Sequence, residues 1–466
     1  MIRLSTFAIL FFWFVSFTQN KQIIYGFSEI PQSLLVNPGG KVKNKGYVGF
    51  PLLSHIHVNA GTSGSTLYDV FANDGVNFNT KLQSAAYSMS DNDFITLNEQ
   101  LEVFSGGFAF GSSYDKNEYL SFGIYQELDL INYFPKDYAI LAIEGNQNNI
   151  NRVFDLSDLN ASFEVVSVFH VGYNKKVNSK LSYGVRGKIY SSIMNVNSTR
   201  NRGQFVTVPG KNNIYDHVFN LDLAVRTSGV QSFVDEDSSD ERLKKITNRV
   251  LLGGNLGLGF DIGFSYNITD QWYLDGSLLD IGFIHHTKDV ESYEVKGDYV
   301  FEGINPIFPE LEDEQTADDY WSEIEEDFEE LFNADTISTN YTTWRPIKLN
   351  TSINYAFGKQ KEKDCNCIKE DVGYINRIGV QLYAINRPKR PQVALTTYYY
   401  RRLFKGLRLK GTYTIDSFSF YNIGLGASFH IGGMNFYAMA DNFFQYQNIY
   451  NAEGVSLQLG FNYILN

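Results

Sequence analysis

The seven histidines and two cysteines are the first places to look for chemistry in this chain. Cys365 and Cys367 form a single Cys-x-Cys inside the charged run GKQKEKDCNCIKED. A structural metal site takes about four ligands, and no His or further Cys lies nearby in sequence. The pair therefore reads as a strained local disulfide or two free thiols in a loop. His285 and His286 are adjacent at the end of a strand-like run, and neighbours on a strand point to opposite faces, which disfavours a shared metal. His55 and His57, in LLSHIHVNAG, have the i, i+2 spacing that would put both on one face; a polar strand face is the commoner outcome and the expected one. The chain contains neither Gly-x-Ser-x-Gly nor His-Glu-x-x-His. No catalytic residue, metal ligand or cofactor is assigned, and no enzyme is expected.

The elements that surround these residues carry more information. Period-two alternation dominates. In LLGGNLGLGFDIGFSYN the even positions from Leu252 to Tyr266 are mostly apolar, and the odd ones are Gly, Asn, Asp and Ser. RPIKLNTSINYAFG, FSFYNIGLGASFHI and GVSLQLGFNYIL repeat the pattern. Sandwich strands also alternate, but these runs reach twelve residues or more, about twice the usual strand. Their second face is small, polar or charged, as a wet lumen requires. Tyr, Phe and Trp gather at their ends, where amphipathic rings suit a membrane interface. Aromatics make up 15% of the chain, with 31 Tyr and 37 Phe, residues that favour strands. A net charge of −13 supplies no cationic excess for nucleic acid.

The fold expected is all-β: an antiparallel transmembrane barrel of about fourteen strands, within a range of twelve to sixteen. Sixteen candidate strands are visible between residues 46 and 465, some of them loop segments. Short connections such as NKKVNSK and NITDQ alternate with long ones, among them NVNSTRNRGQFVTVPGKNNIYD and TSGVQSFVDEDSSDERLKKITNR. Residues 302–340 form an acidic insertion in which Tyr320, Trp321, Ile324, Phe328, Leu331 and Phe332 recur at helical spacing, so a short helix is expected there.

Residues 1–18 read as a secretory signal peptide, with Arg3 ahead of an apolar run too short to span a membrane. Residues 19–45 are rich in turns. A barrel of this size leaves a lumen that wall side chains alone do not fill. This segment is expected to plug it, with Pro31, Asn37, Pro38, Gly39 and Gly40 as structural positions and Ile30, Leu34, Leu35 and Val36 as anchors. Asn-Pro starts a turn, and Gly39-Gly40 allow either close packing or positive φ. The segment GTSGSTLYDVFANDGVNFNTKLQSAAYSMSDND is a second candidate for the lumen. Residues 46–466 would be the barrel.

Pro31-Gln32, Asn37-Pro38, Gly49-Phe50-Pro51 and Asn59-Ala60-Gly61 together resemble a Bacteroidota family of outer-membrane barrels, domain-of-unknown-function family 5723. Asn37-Pro38-Gly39-Gly40 also resembles the Asn-Pro-Ala-Gly of the long-chain fatty-acid channel superfamily, with Gly in place of Ala. The resemblance implies the cell outer membrane, a lumenal N-terminal hatch, and contact with outer-membrane lipid. Two functions are carried forward. One is a plugged channel that takes up or binds a hydrophobic or amphipathic small molecule. The other is a barrel partner of an envelope protein complex such as type IX secretion or gliding machinery.

Overall fold

The computed structural model describes residues 21–112, 115–211, 214–231, 239–302, 335–359, 373–416 and 420–465. The acidic helix expected within 302–340 and the two cysteines lie almost wholly outside them.

The wall opens with two pieces of one strand, β1 (Gly46–Gly49) and β2 (Ile56–Thr62). Pro51 and Leu52, the latter at φ 63°, bow the chain outward between them. The wall continues through β3 (Phe94–Ser112) and β4 (Asp115–Tyr133). A short β5 (Val153–Asp155) precedes β6 (Asn160–Lys176), β7 (Leu181–Pro209) and β8 (Tyr215–Ser228). Next come β9 (Asn255–Asn267), β10 (Trp272–His286), β11 (Val290–Phe301), β12 (Asp335–Ile337), β13 (Tyr341–Trp344) and β14 (Lys348–Lys359). The chain ends with β15 (Tyr374–Ile385), β16 (Gln392–Arg402), β17 (Leu407–Ile415), β18 (Asn422–Ile431), β19 (Met434–Asp441) and β20 (Gly454–Leu465).

Pairing is antiparallel throughout, and β20 returns to β1 and β2, so the sheet closes. β13 and β14 both pair with β10 and form one wall strand. Counting β1 with β2 and β13 with β14, fourteen strands surround the lumen. β5, β8, β11 and β12 do not. β7 explains this. Its 29 residues would reach roughly 95 Å, far more than the ~10 residues that cross a membrane. Residues 181–192 pair with β9 inside the wall, whereas residues 195–209 pair with β8. β8 then pairs with β11, and β11 with β12. Two of the sixteen candidate strands, those at 215–227 and 290–301, thus leave the barrel. The run from Asn195 to Pro209, read from sequence as loop, is strand.

This projecting sheet carries its own core. Helices α1 (Leu67–Phe71), α2 (Phe78–Ser88), α3 (Lys136–Glu144) and α4 (Ser239–Asn248) occupy the connections at the long-loop end. Ala86 of α2 and Ala139 and Ile140 of α3 pack with Phe154, Leu156, Phe205 and Leu221. The segment from Gly61 to Asp93, a candidate for the lumen, is instead a largely exposed part of this head, because Thr66 caps α1 and Asn77 caps α2.

The wall itself is inverted relative to a soluble protein. Leu256, Leu258, Phe260, Ile262, Phe264 and Tyr266 of β9 are exposed, while Asn255, Asp261 and Ser265 are buried. In β14 the exposed residues are Leu349 and Ile353, and the buried ones are Lys348, Asn350, Ser352 and Asn354. Only a hydrocarbon surround and a polar interior make that arrangement favourable. Among the described residues no helix is long and apolar enough to cross a membrane.

Candidate functional site: the lumen and its N-terminal segment

Residues 21–40 lie inside the wall. Asn37 Oδ1 accepts from the Gly39 N–H at 3.0 Å, and the Asn37 carbonyl accepts from the Gly40 N–H at 3.0 Å, which closes a tight turn. Pro31 begins a 3-10 turn, Pro31–Leu35, where its lack of an N–H costs nothing. Such a chain leaves most of its carbonyls without partners of its own, and buried carbonyls need donors.

The wall supplies them. Lys410 Nζ donates to the carbonyls of Gln22, Ile23 and Tyr25 at 3.2, 3.0 and 2.8 Å, and Arg377 to that of Gly26 at 2.6 Å. Arg186 donates to those of Leu34 and Leu35, and Ser277 to that of Val36 at 2.6 Å. Asn174 reaches the carbonyls of Pro38 and Gly40 at 2.7 and 3.0 Å, and Ser182 that of Gly39 at 2.9 Å. Gln32 crosslinks two strands, donating to Glu102 at 2.9 Å and Asn462 at 2.8 Å.

All five positions singled out from sequence lie in this segment, and the glycines do different things. Neither Gly39 nor Gly40 has positive φ. A Cβ on Gly39 would sit 2.2 Å from the Gly263 carbonyl oxygen, and one on Gly184 2.0 Å from that of Pro38. Close backbone approach is therefore the reason for Gly39. A Cβ on Gly40 would meet the Asn37 carbonyl of its own turn at 3.1 Å and Leu34 Cδ2 at 3.7 Å, and no wall atom within 4 Å.

The apolar side of the segment has a seat of its own. Ile23, Ile24, Tyr25, Phe27, Ile30 and Val36 cluster with Tyr398, Tyr400, Tyr437 and Met439 of the wall. Phe27 meets Tyr400 edge to face at 5.4 Å. Lys410 and Arg377 lie over the rings of Tyr398 and Tyr400 at 4.2 and 4.7 Å. Tyrosines backed by cations thus line this niche, the largest of three apolar seats; Leu34 packs with Tyr47, Tyr119 and Ile464, and Leu35 with Tyr125, Val166, Val168, Tyr190 and Ile284.

On the other side runs a buried ion network. Arg186 and Lys188 of β7 pair with Asp261 at 3.1 and 2.9 Å. Lys188 and Lys348 share Asp280 at 2.6 and 2.9 Å. Lys348 and Arg345 share Glu127 at 2.7 and 3.0 Å, and Arg345 also pairs with Glu164. A bulge in β10 between Leu278 and Ile281, with Asp280 at φ 58°, turns that carboxylate inward. The cavity between this network and the segment, bordered by Lys21, Val36 and Tyr383, has a volume of about 30 Å³. That is room for a water or two.

Glu29 is the one acid of the segment from 21 to 40. Burial pushes its carboxyl up, but Lys43 at 2.7 Å and Arg408 at 3.5 Å outweigh that and hold it at about 2. Lys21, which donates to Gln100, is pushed down by burial to about 8, against the pull of Glu127.

His55 and His57 stand on one face with rings 6.5 Å apart, and His55 Nδ1 lies 2.7 Å from the Tyr437 hydroxyl. His286 meets Ser228 and His285 meets Thr342. Among the described residues, no three His, Cys, Asp or Glu side chains are grouped to hold a metal. Sequence reading did not single out Lys410, Arg377, Arg186 or the network residues. Their signal is a charged residue at a lumenal position in mid-strand, as in VRGKIY, GFDIGF and YQELD, where an ionisable group is costly unless partnered.

Closed antiparallel wall, apolar exterior and filled polar lumen define a transmembrane β-barrel. Residues 38–441 match the family of unknown function DUF5723, and the chain belongs to that family. No curated protein sequence matches it. Solved structures similar to it include a FadL homologue of Pseudomonas aeruginosa, at 9% identity and TM-score 0.45, over 97% of this chain and 100% of that one. The toluene transporter TbuX of Ralstonia pickettii is similar at 8% identity and TM-score 0.41, over 94% of each chain. The translocator domain of the autotransporter NalP from Neisseria meningitidis follows at 8% identity and TM-score 0.33, over 91% of this chain and 89% of that one.

Proposed function

We propose that this barrel is an outer-membrane channel whose lumen is plugged by residues 21–40 and which takes up a hydrophobic or amphipathic small molecule. Short turns at 177–180, 268–271 and 403–406 would face the periplasm, with the head outside the cell. The observation that carries the reading is the tyrosine niche. The plug fills it with Ile23, Ile24, Phe27 and Ile30 and hydrogen-bonds Lys410 and Arg377 through backbone carbonyls. When the plug withdraws, an apolar body fits the niche, and an anionic or carbonyl head fits the two cations. A plug tied by hydrogen bonds along its length can peel away one contact at a time.

The test is to extract the protein gently from its native membrane and weigh the intact complex. An apolar or amphipathic molecule bound near one per chain, lost on Tyr398→Ala with Tyr400→Ala, supports the channel. A barrel with no such molecule, and no binding of long-chain amphiphiles after deletion of residues 21–40, counts against it. A second reading, a barrel partner of an envelope protein complex, is favoured by the head. Its sheet extends beyond the membrane and would offer a rigid docking surface. Co-purification of one protein in fixed proportion, lost when the head is removed, would support that reading instead.

A further inference from the structure

Where β17 to β20 reach the long-loop end, oxygen-bearing side chains converge inside the wall. Asp416 follows β17, Asn422 opens β18, Asp441 closes β19, and Asn442 follows it. All four are no more than 2% exposed. Asn422 is the scaffold: its amide donates to Asp416 Oδ2 at 2.9 Å, and its Oδ1 accepts from the Asn442 N–H at 2.7 Å. The Asn442 amide nitrogen donates to the Gly454 carbonyl at 2.6 Å, and its Oδ1 has no donor. Both carboxylate oxygens of Asp441 and the hydroxyl of Thr412 also have no hydrogen-bond partner. A Cβ on Gly424 would lie 2.7 Å from Asp441 Oδ1 and 2.4 Å from Thr412 Oγ1, so the two oxygens border one small space.

Charge makes the case. A carboxylate buried this deeply beside a second one takes either a proton or a counter-charge, and a bound cation supplies the latter. The cation nearest in sequence is Lys410, two residues before Thr412 on the same face of β17. Its ammonium has three protons, and its three bonds go to the carbonyls of Gln22, Ile23 and Tyr25. We propose that Asp416, Asp441, the Asn442 side-chain carbonyl and the Thr412 hydroxyl bind a hard divalent cation, Ca²⁺ by preference. Oxygen donors of mixed type, from two separate stretches of chain, suit the irregular coordination that Ca²⁺ accepts and Mg²⁺ resists. Zinc would call for His or Cys ligands. Ile23 Cδ1 borders the same space, 2.8 Å from the Gly424 Cβ position, so the ion sits behind the tip of the lumenal segment.

The experiment is Ca²⁺ titration of the full-length barrel in detergent after stripping with a chelator, alongside Tb³⁺ luminescence. Tyr446, whose hydroxyl donates to the Ser456 carbonyl at 2.9 Å and feels the charge of Asp441, is the expected sensitiser. The expected result is a site filled at one Ca²⁺ per chain, a higher unfolding temperature in Ca²⁺ than in chelator, and Tb³⁺ emission displaced by Ca²⁺ more readily than by Mg²⁺. Asp441→Asn, checked for heat-modifiable barrel mobility, should lose about tenfold or more in affinity. Should that variant not assemble, Asn442→Gly, which keeps the left-handed backbone at φ 52°, and Thr412→Val each remove one neutral donor and must each weaken binding. A wild-type barrel without a stoichiometric site, or folded variants with unchanged affinity, overturns the assignment.

Discussion

The head and the lumen solve opposite problems with one sheet. Above residue 195, β7 enters a region surrounded by water, and its buried partners are apolar: Phe154, Leu156, Phe205, Leu221 and the alanines of two helices. Below residue 193 the same strand faces hydrocarbon outside and polar groups inside. Its large buried polar residues there are Arg186, Lys188 and Tyr190, satisfied by Asp261 and Asp280. β6 runs alongside both halves from Ser182 to Asn197, and a single bulge at Ile193 marks the change. What differs is the solvent on the outer face, and with it the kind of residue that is cheap to bury. Hydrophobic burial holds the head together, and charge complementarity holds the lumen.

Two substitutions test that contrast with the largest effects. Asp280→Asn keeps a residue that tolerates φ 58° but leaves Lys188 and Lys348 each short of a carboxylate, so the barrel should lose about 3–5 kcal/mol with the head untouched. Phe154→Ala should cost about 3–5 kcal/mol in the head alone. Urea unfolding followed by heat-modifiable mobility reads the barrel, and limited proteolysis reads the head. Equal effects of either change on both regions would erase the distinction.

Next in size is Lys410→Met. Three carbonyls lose a charged donor, and the part of the lumenal segment from Gln22 to Tyr25 should loosen by about 2–3 kcal/mol, seen as faster amide exchange there than in residues 34–40. Glu29 gives a smaller, pH-dependent term. Its carboxyl sits at about 2, below its usual 4.5, so its contribution is complete above about pH 4.5 and fades as pH falls toward 2. With Lys43 more than half exposed, the term should come to about 2 kcal/mol. Glu29→Gln should flatten the acid limb of a pH-stability curve; an unchanged limb would mean the pair contributes nothing. The smallest test separates adjacent glycines. Gly39→Ala meets rigid backbone and should cost about 1–3 kcal/mol, and Gly40→Ala about 1 kcal/mol or less. Calorimetry of the two variants, with the order reversed, would show that the turn rather than the wall contact selects glycine.

Much of the barrel was legible in sequence because lipid on one side and a wet interior on the other impose strict alternation, as Leu256 to Tyr266 shows. Sixteen such runs were visible, and fourteen wall strands remain once those at 215–227 and 290–301 leave for the head. The head was not legible. Asn195 to Pro209 is rich in Asn, Ser, Arg and Gly, which read as loop, and it becomes strand through pairing with β8 and packing under α2 and α3. Nor could the ion network be read, since Glu127 and Lys348 lie 221 residues apart and only closure of the wall brings them together. Gln32 was visible in Pro31-Gln32, but its two-strand crosslink depends on where β3 and β20 meet.

In the proposed function, residues 21–40 close the channel. Single-channel recording in planar bilayers, comparing the full barrel with a chain lacking those residues, tests it most directly. A silent wild type is expected, with a large, steady conductance in the deletion, whose heat-modifiable mobility shows the wall intact. Equal conductance in both, with the deleted chain still folded, would contradict it.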